Sequence, residues 1–302
     1  MTAEERSDVF DVIVIGAGPA GENVAGRAAD GGLAVAIVER ELVGGECSYW
    51  GCIPSKVLIR PGAVLAAARR VPGAAPVVGA RPDAEGVLKT RDDLTSHWDD
   101  TEALPWLTDK GIDVVRGTGS LAGVREVYVT AGDGTHRLLS ARLAVVLATG
   151  TAAVVPPIDG LGDAQPWDNR TATSASVIPR RLLVLGGGAI GVELAQAFRR
   201  LGSDEVTVIE AAPRLLASEE PFAGDEVRAA FEGEGITVVT GATAVEARRK
   251  DGAVTVTLDD GRTFTGDEIL VAVGRRPATD DLGLEGVGLE PGKPVQVDDR
   301  LR

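Results

Sequence analysis

The stretch VFDVIVIGAGPAGENVAGRAADGGLAVAIVE, residues 9–39, decides the fold. Its first seven residues, VFDVIVI, read as a short buried strand rich in valine and isoleucine. Gly16, Gly18 and Gly21 follow at once, and ENVAGRAADGG reads as a helix. A second strand, LAVAIVE, ends in Glu39, eighteen residues beyond Gly21. That order is the dinucleotide fingerprint in its structural context. Gly16 allows the tight strand-to-helix turn, Gly18 lets backbone approach a pyrophosphate, and Gly21 permits close packing of helix on strand. The helix start offers free N–H groups and the positive end of a dipole to phosphate. Glu39 is placed to accept hydrogen bonds from a ribose diol.

The same pattern returns 170 residues later. RLLVL at 181–185 is a strand, Gly186, Gly188 and Gly191 form the turn, and VELAQAFRRLG is the helix. EVTVIE then ends in Glu210, nineteen residues past Gly191. One glycine triplet is weak evidence, because many α/β proteins turn on glycine. Two, each with strand, helix and acid at the correct spacing, predict two bound dinucleotides and electron traffic between them.

Composition agrees with this reading and removes others. At about 150 residues per domain, 302 residues predict two domains. With 44% hydrophobic and 25% charged residues the chain is globular, not disordered or collagen-like. A net charge of −14 makes nucleic acid and anionic membrane poor partners, since phosphate neutralisation needs a basic footprint. No apolar run reaches the roughly 18 residues of a membrane span. The start, MTAEERSDVF, lacks the basic end and apolar core of a secretory signal, so a cytoplasmic address is expected.

Between the openings, IRPGAVLAAARRVPGA reads as helical after a break at Pro61–Gly62, and TRDDLTSHWDDTEALPWLTDKG holds a second helical segment. Residues 112–147 alternate apolar and polar and read as a β-meander, closed by Ala148-Thr149-Gly150. Pro156-Pro157 to Ser176 reads as a crossover linker. FAGDEVRAAFEGEG is helical, and residues 236–274 read as another meander.

The two cysteines, Cys47 and Cys52, lie in GECSYWGCIPSK. Four residues between them make a small disulfide ring plausible. If Cys52 opens a helix, the dipole favours its thiolate, and Lys56 one turn later adds positive charge. The alternative is two unrelated buried thiols with Lys56 on a solvated face; the preceding nucleotide-binding pattern favours redox chemistry. No metal site is expected, because His97 and His136, read as a helix-surface and a turn residue, are remote in sequence.

Gly44-Gly45-Glu46-Cys47-x4-Cys52-Ile53-Pro54-Ser55-Lys56 resembles the active-site segment of the flavin-dependent pyridine nucleotide–disulfide oxidoreductases. That family includes dihydrolipoamide dehydrogenase, glutathione reductase and mercuric reductase. Leu147-Ala148-Thr149-Gly150, GGGAIGVELA and VAVGRRP at 271–277 extend the resemblance from residue 10 to the end of the chain. The resemblance implies that the first fingerprint holds FAD and the second NAD(P)H. Cys52 would lie against the flavin, Cys47 would exchange with substrate, and Lys56 and Glu193 would pair beside the flavin's reactive edge. It further assigns Pro19, Ala20, Glu39, Arg40, Gly45, Glu46, Gly119, Thr149 and Gly150 to FAD, and Ile190, Glu210 and Gly274 to the nicotinamide cofactor. Electrons would pass between NAD(P)H, FAD and the Cys47–Cys52 disulfide to a small-molecule or protein disulfide acceptor. Glu210 suits a 2′-hydroxyl and repels a 2′-phosphate, and no arginine follows before Arg214, so NAD is expected over NADP.

The sequence departs from the family in three places. Glu46 stands where threonine is commonest, and the aromatic pair Tyr49–Trp50 between the cysteines is bulkier than usual, so it is expected to shape substrate access. Family enzymes also continue into a dimerisation domain bearing a His–Glu pair that this chain does not contain. A fragment or shortened relative is therefore expected, with a homodimer only for the full-length enzyme; the alternative function is an FAD- or NAD-binding chain without disulfide turnover. A short thioredoxin-reductase-like enzyme fits less well, because its cysteines lie in the second nucleotide domain. The expected architecture is two Rossmann-like, doubly wound α/β domains, each with a β-meander: 1–155 for FAD and the cysteines, 156–277 for NAD(P), and 278–302 returning toward the first.

Overall fold

The computed structural model describes residues 8–79 and 81–302; the charged start at 1–7 lies outside them. The chain is mixed α/β and divides into two compact units. One comprises residues 1–49, 96–152 and 276–302, the other 50–95 and 153–275. The two short strands β7 (Thr151–Ala153) and β15 (Arg275–Pro277) lie where the chain passes from one to the other.

The first unit is built on β1 (Val9–Ile15), α1 (Pro19–Asp30), β2 (Val35–Glu39), the short helix α2 (Gly45–Tyr49), α5 (Leu104–Thr108), β3 (Asp113–Arg116), β4 (Thr118–Gly123), β5 (Glu126–Thr130) and β6 (His136–Leu147). Its six-stranded sheet runs β3-β2-β1-β6-β5-β4. β1 pairs parallel with β2 and β6, and β2 parallel with β3, while β5 is antiparallel to both of its neighbours. β6 belongs to both halves: around Ser140 it stops pairing with β5 and starts pairing with β1. Parallel strands covered on both faces read as continuous apolar runs, which is why VFDVIVI and VAIVE carry the strand signal. Val12 and Val14 face α1 and α5 with Ala25, Leu107 and Ile112. Phe10, Ile13 and Ile15 face the other way, where Leu282 and Leu284 of the returning segment join Val127 and Leu139. The segment is stitched on by Leu121 N–H donating to Leu282 O at 2.8 Å.

The second unit places a parallel sheet, β10-β9-β8-β14, between two covers. Its strands are β8 (Arg181–Leu185), β9 (Glu205–Glu210), β10 (Ile236–Thr240) and β14 (Glu268–Val271). A three-stranded meander, β11 (Ala244–Lys250), β12 (Ala253–Leu258) and β13 (Thr263–Gly266), packs Val254, Val256 and Leu258 on Leu183, Leu185 and Ile269. On the opposite face lie α7 (Ala189–Leu201) and α8 (Pro221–Gly233), with Leu194, Phe198 and Phe231 against Leu182, Val184 and Val206. α3 (Cys52–Arg69), α4 (Ala84–Leu94) and α6 (Asn169–Thr173) complete this unit, and Leu58 and Val87 enter the same core.

Several expectations need revision. Residues 50–95, placed with the first domain from the sequence, pack with the second unit, because α3 lies against α7. Asp113–Arg116, Ile236–Thr240 and Glu268–Val271 are parallel sheet strands rather than meander strands. Short strands flanked by glycine turns look alike in either role. α3 runs unbroken through Pro61. The lost hydrogen bond and ring clash cost about 3 kcal/mol in isolation, and burial of Leu58 and Gly62 offsets this. A Cβ at Gly62 would stand 2.7 Å from Arg200 Cδ, so that glycine serves the α3–α7 approach, not a break. The stretch Pro156–Ser176 is not simply a linker, since it contains α6. His97 sits in a left-handed turn and His136 opens β6, stacked on Tyr128 at 5.0 Å, so neither has its expected setting.

Leu284 is fully buried against the first unit's sheet. Leu284→Ala is expected to lower stability by about 2–5 kcal/mol in urea unfolding, the usual cost of such a cavity. A change below measurement error would contradict the place given to the returning segment.

Candidate functional site

The two glycine loops are copies in detail. Gly16 has φ +100° and Gly186 φ +105°, the left-handed region that favours glycine. A Cβ on Gly16 would stand 2.3 Å from Ala148 O, and one on Gly186 2.3 Å from Ala272 O. A Cβ on Gly21 would stand 1.9 Å from Gly16 O, and one on Gly191 2.0 Å from Gly186 O. At Gly18 and Gly188 a Cβ would meet nothing within 4 Å. The outer glycines are therefore required by the protein's own packing. The middle one faces open space at a helix start, which fits a phosphate brought against the backbone.

Each loop is tied to its acid. Glu39 is buried; its Oε2 accepts from Ala17 N–H at 2.7 Å and its Oε1 from Glu41 N–H at 2.8 Å. Glu210 repeats this, accepting from Gly187 N–H at 2.5 Å and Ala212 N–H at 2.7 Å. Each carboxylate oxygen retains acceptor capacity for a ribose hydroxyl.

A cleft of about 270 Å³ opens at the first loop, lined by Gly16, Glu39, Arg40, Gly119 and Thr149. A Cβ on Gly119 would press to 3.1 Å from Val38 and 3.2 Å from Ile15. The returning segment adds Arg276, Asp280 and Asp281, with Arg276 ion-paired to Asp280; the sequence reading missed all three. Gly18, Pro19, Ala20, Gly45, Glu46 and Gly150 lie outside that lining, although Pro19 and Ala20 are exposed at the start of α1. A larger cleft of about 810 Å³ opens at the second loop, lined by Gly186, Gly188, Ile190, Glu210 and Gly274. Glu210 is its only charged lining residue among those described. Arg214 is turned away, donating to the carbonyls of Leu216, Ala217 and Glu219.

Cys47 and Cys52 are disulfide-bonded, and as the only cysteines in the chain they are bonded to each other. Cys47 lies on α2, whose first residue, Gly45, packs so close to the first loop that a Cβ there would stand 2.8 Å from Gly18 Cα. Gly44 N–H donates to Ala17 O at 2.8 Å. Cys52 is the first residue of the 18-residue helix α3, where the dipole favours a thiolate once the bond is reduced. Lys56 lies one turn further along α3. Its Nζ donates to both oxygens of Glu193 on α7, at 2.8 and 3.0 Å. Both side chains are largely open to solvent.

The segment before Cys47 is held by residues that no spacing rule singles out. Asp100, nearly buried, accepts from Val43 N–H at 2.6 Å and from Arg116 at 2.6 Å, and Arg116 also donates to Glu41 O at 3.0 Å. Trp98 Nε1 donates to Tyr49 O at 3.1 Å. Tyr49 is buried, and burial first, then the Asp100 charge, push its phenol up. It is part of the core. Trp50 is half-buried with Arg170 over its ring at 4.1 Å. Glu22, the residue after Gly21, was also missed; burial, then the neighbouring Glu39 charge, push its carboxyl up.

No helix is long and apolar enough to cross a membrane, and no group of three or more His, Cys, Asp or Glu could hold a metal, both among the described residues.

Two matching glycine-loop clefts and a disulfide in one chain define the class of two-cofactor disulfide oxidoreductases. The chain belongs to the pyridine nucleotide-disulphide oxidoreductase family, whose sequence profile matches residues 10–302. It is 30% identical to mercuric reductase from Staphylococcus aureus over 97% of this chain and 53% of that protein. It is 35% identical to dihydrolipoyl dehydrogenase from Chlorobaculum tepidum over 95% of this chain and 62% of the relative. Among solved structures it resembles the HOCl-induced flavoprotein disulfide reductase RclA of Escherichia coli, with TM-score 0.84 and 26% identity over 97% of this chain and 63% of that one. The chain thus spans about half to three fifths of the length of these relatives.

Because the folded Glu22 carboxyl binds its proton more tightly than in the unfolded chain, stability falls as pH rises from the ordinary glutamate value of about 4.3 through the raised one. Glu22→Gln removes this loss. It is expected to be more stable than the wild type in urea melts at neutral pH, with the difference vanishing below about pH 4. A glutamine variant no more stable at pH 7 would refute it.

Proposed function

We propose that this chain is the electron-transferring portion of an FAD-dependent, NAD-linked disulfide oxidoreductase, with FAD at the first loop, NAD(H) at the second and the Cys47–Cys52 pair as the redox disulfide. The observation that carries this is the placement of Cys47: two residues past Gly45, where a Cβ would stand 2.8 Å from Gly18 Cα at the open point of the first loop. Gly16, Glu39, Arg40, Gly119 and Thr149 would hold FAD, and Gly186, Gly188, Ile190, Glu210 and Gly274 the nicotinamide cofactor. Bound there, FAD supplies a two-electron carrier between nicotinamide and sulfur.

The chain's own residues divide the remaining work. In the dithiol form, the Cys47 thiolate attacks one sulfur of an acceptor disulfide, making a mixed disulfide and releasing the first thiol. The Cys52 thiolate then attacks Cys47 Sγ, re-forming the Cys47–Cys52 bond and releasing the second thiol. The two thiol protons of the pair leave with the two products. The α3 N-terminus favours the Cys52 thiolate, and Glu193 holds the Lys56 ammonium one turn away. Similarity to dihydrolipoyl dehydrogenase and to mercuric reductase supports a disulfide or related acceptor without choosing between those two relatives' substrates. A Glu210 carboxylate with no cation beside it in the cleft lining, among the described residues, favours NADH. The cytoplasm is the expected compartment, and a homodimer is expected of the full-length enzyme.

Anaerobic addition of NADH to FAD-reconstituted protein is expected to produce a broad long-wavelength absorbance band that Cys52→Ser abolishes and Cys47→Ser retains. A wild type without the band would remove the role given to Cys52. Flavin reduction is expected to be at least about tenfold faster with NADH than NADPH, the scale of an uncompensated like-charge contact. Faster reduction by NADPH would reverse the cofactor assignment.

A further inference from the structure

We propose that the second unit holds a binding site for a polyphosphate anion, at the end of α7 remote from its glycine loop. A cleft of about 400 Å³ opens there, and all of its lining belongs to the second unit. Arg69 enters from the last position of α3, Arg199 and Arg200 from the last turn of α7, and Arg81 from the segment before α4. Glu234, just past α8, is the one acidic lining residue among those described. α7 has 13 residues and starts at the second glycine loop, so about 20 Å separates that loop from the arginines. The two clefts share no lining residue.

Charge singles this cleft out. The chain carries −14 overall, yet here four guanidinium groups meet one carboxylate. α3, α7 and α8 all end at the cleft, and each C-terminus adds about half a negative charge. Roughly one and a half positive charges still remain. A concave site of one sign against an apolar wall concentrates its field on a ligand, and Leu65 and Ala66 of α3 form such a wall.

The arginines are held in place without being used up. Arg199 donates from Nε to Glu234 O and from Nη1 to Ser203 O, both at 2.8 Å. Arg200 donates from Nε and Nη2 to the two Glu234 carboxylate oxygens at 2.8 and 2.5 Å. It lies against Gly62, where a Cβ would stand 2.7 Å from its Cδ. Arg69 Nη2 donates to Gly79 O at 2.6 Å. Arg81 is exposed, and its Nη1 reaches Gly202 O at 3.4 Å. A guanidinium carries five N–H donors, more than these bonds occupy. Among the described residues no buried side-chain nitrogen lacks a hydrogen bond, so the remaining donors of Arg199 and Arg200 are open to solvent. Their planar forks match phosphate oxygens. Arginines arriving from three separate elements can engage several linked phosphates at once, which a single phosphate cannot exploit.

The test titrates the 302-residue protein calorimetrically with sodium tripolyphosphate. A Kd below about 1 mM is expected at roughly 20 mM salt, weakening as salt rises to about 150 mM. The same titration is run on Gly18→Asp/Gly188→Asp, in which each open glycine loop carries a carboxylate. Binding is expected to persist there, and to fall at least about tenfold when Arg81→Glu is added. Arg262→Glu, an equal charge change on an exposed arginine elsewhere in the same unit, is expected to leave it unchanged. If the Arg81→Glu protein does not fold, Arg69→Gln gives the reading. ATP binding as tightly as tripolyphosphate assigns recognition to the phosphates, and ATP binding more than about tenfold tighter assigns a nucleoside polyphosphate; either result keeps the site. Binding lost in the double loop variant alone places the anion at the glycine loops and overturns the proposal. So does a folded Arg81→Glu or Arg69→Gln protein with unchanged affinity, or orthophosphate bound as tightly as tripolyphosphate.

Discussion

The carbonyl oxygen of Gly16 lies 1.9 Å from the place where a side chain at residue 21 would begin, and that of Gly186 stands in the same relation to residue 191. No other residue type could occupy those positions without parting helix from strand. The consequence is a helix start pressed onto the end of a buried strand, beside a glycine where a Cβ would meet nothing within 4 Å. Everything proposed for the two clefts depends on that contact. The acids Glu39 and Glu210 lock it by bonding the N–H between the first two glycines of each loop.

Identical loops are surrounded differently. The first cleft is edged by Arg40, Arg276, Asp280 and Asp281, the last three brought by the returning segment. The second is walled mostly by alanine, isoleucine and proline, with Glu210 as its only charge among the described residues. After each acid the chain returns to its loop, with Gly44 N–H donating to Ala17 O and Leu216 N–H to Gly187 O, but only the first of these segments carries a cysteine. The asymmetry between the two clefts thus arises from what is attached to a repeated element rather than from the element itself.

The segment bearing the cysteines is held far more firmly than its length suggests. From Glu41 to Tyr49 it is gripped by Glu39, Asp100, Arg116 and Trp98, through main-chain N–H and C=O groups rather than side chains. Backbone bonds of this kind define position without dictating which residue is held, so Ser48, Tyr49 and Trp50 can depart from the commoner family pattern without loosening the frame.

Both glycine loops, their terminal acids, the flanking strands and helices and the close cysteine pair were legible in the amino-acid sequence. Each is local: a strand-to-helix turn within about six residues, or a four-residue gap between thiols, imposes its demands on neighbouring positions. Contacts across many residues left no such trace. Asp100 meets Val43 across 57 positions and Asn169 meets Trp50 across 119, with nothing periodic to announce either. Membership of 50–95 in the second unit, the double pairing of β6 and the passage of α3 through Pro61 were likewise decided by packing. A strand, helix or turn is chosen by residues close along the chain. Which strands share a sheet, and which side chain reaches which carbonyl, is chosen by the buried surface that forms only when distant segments meet.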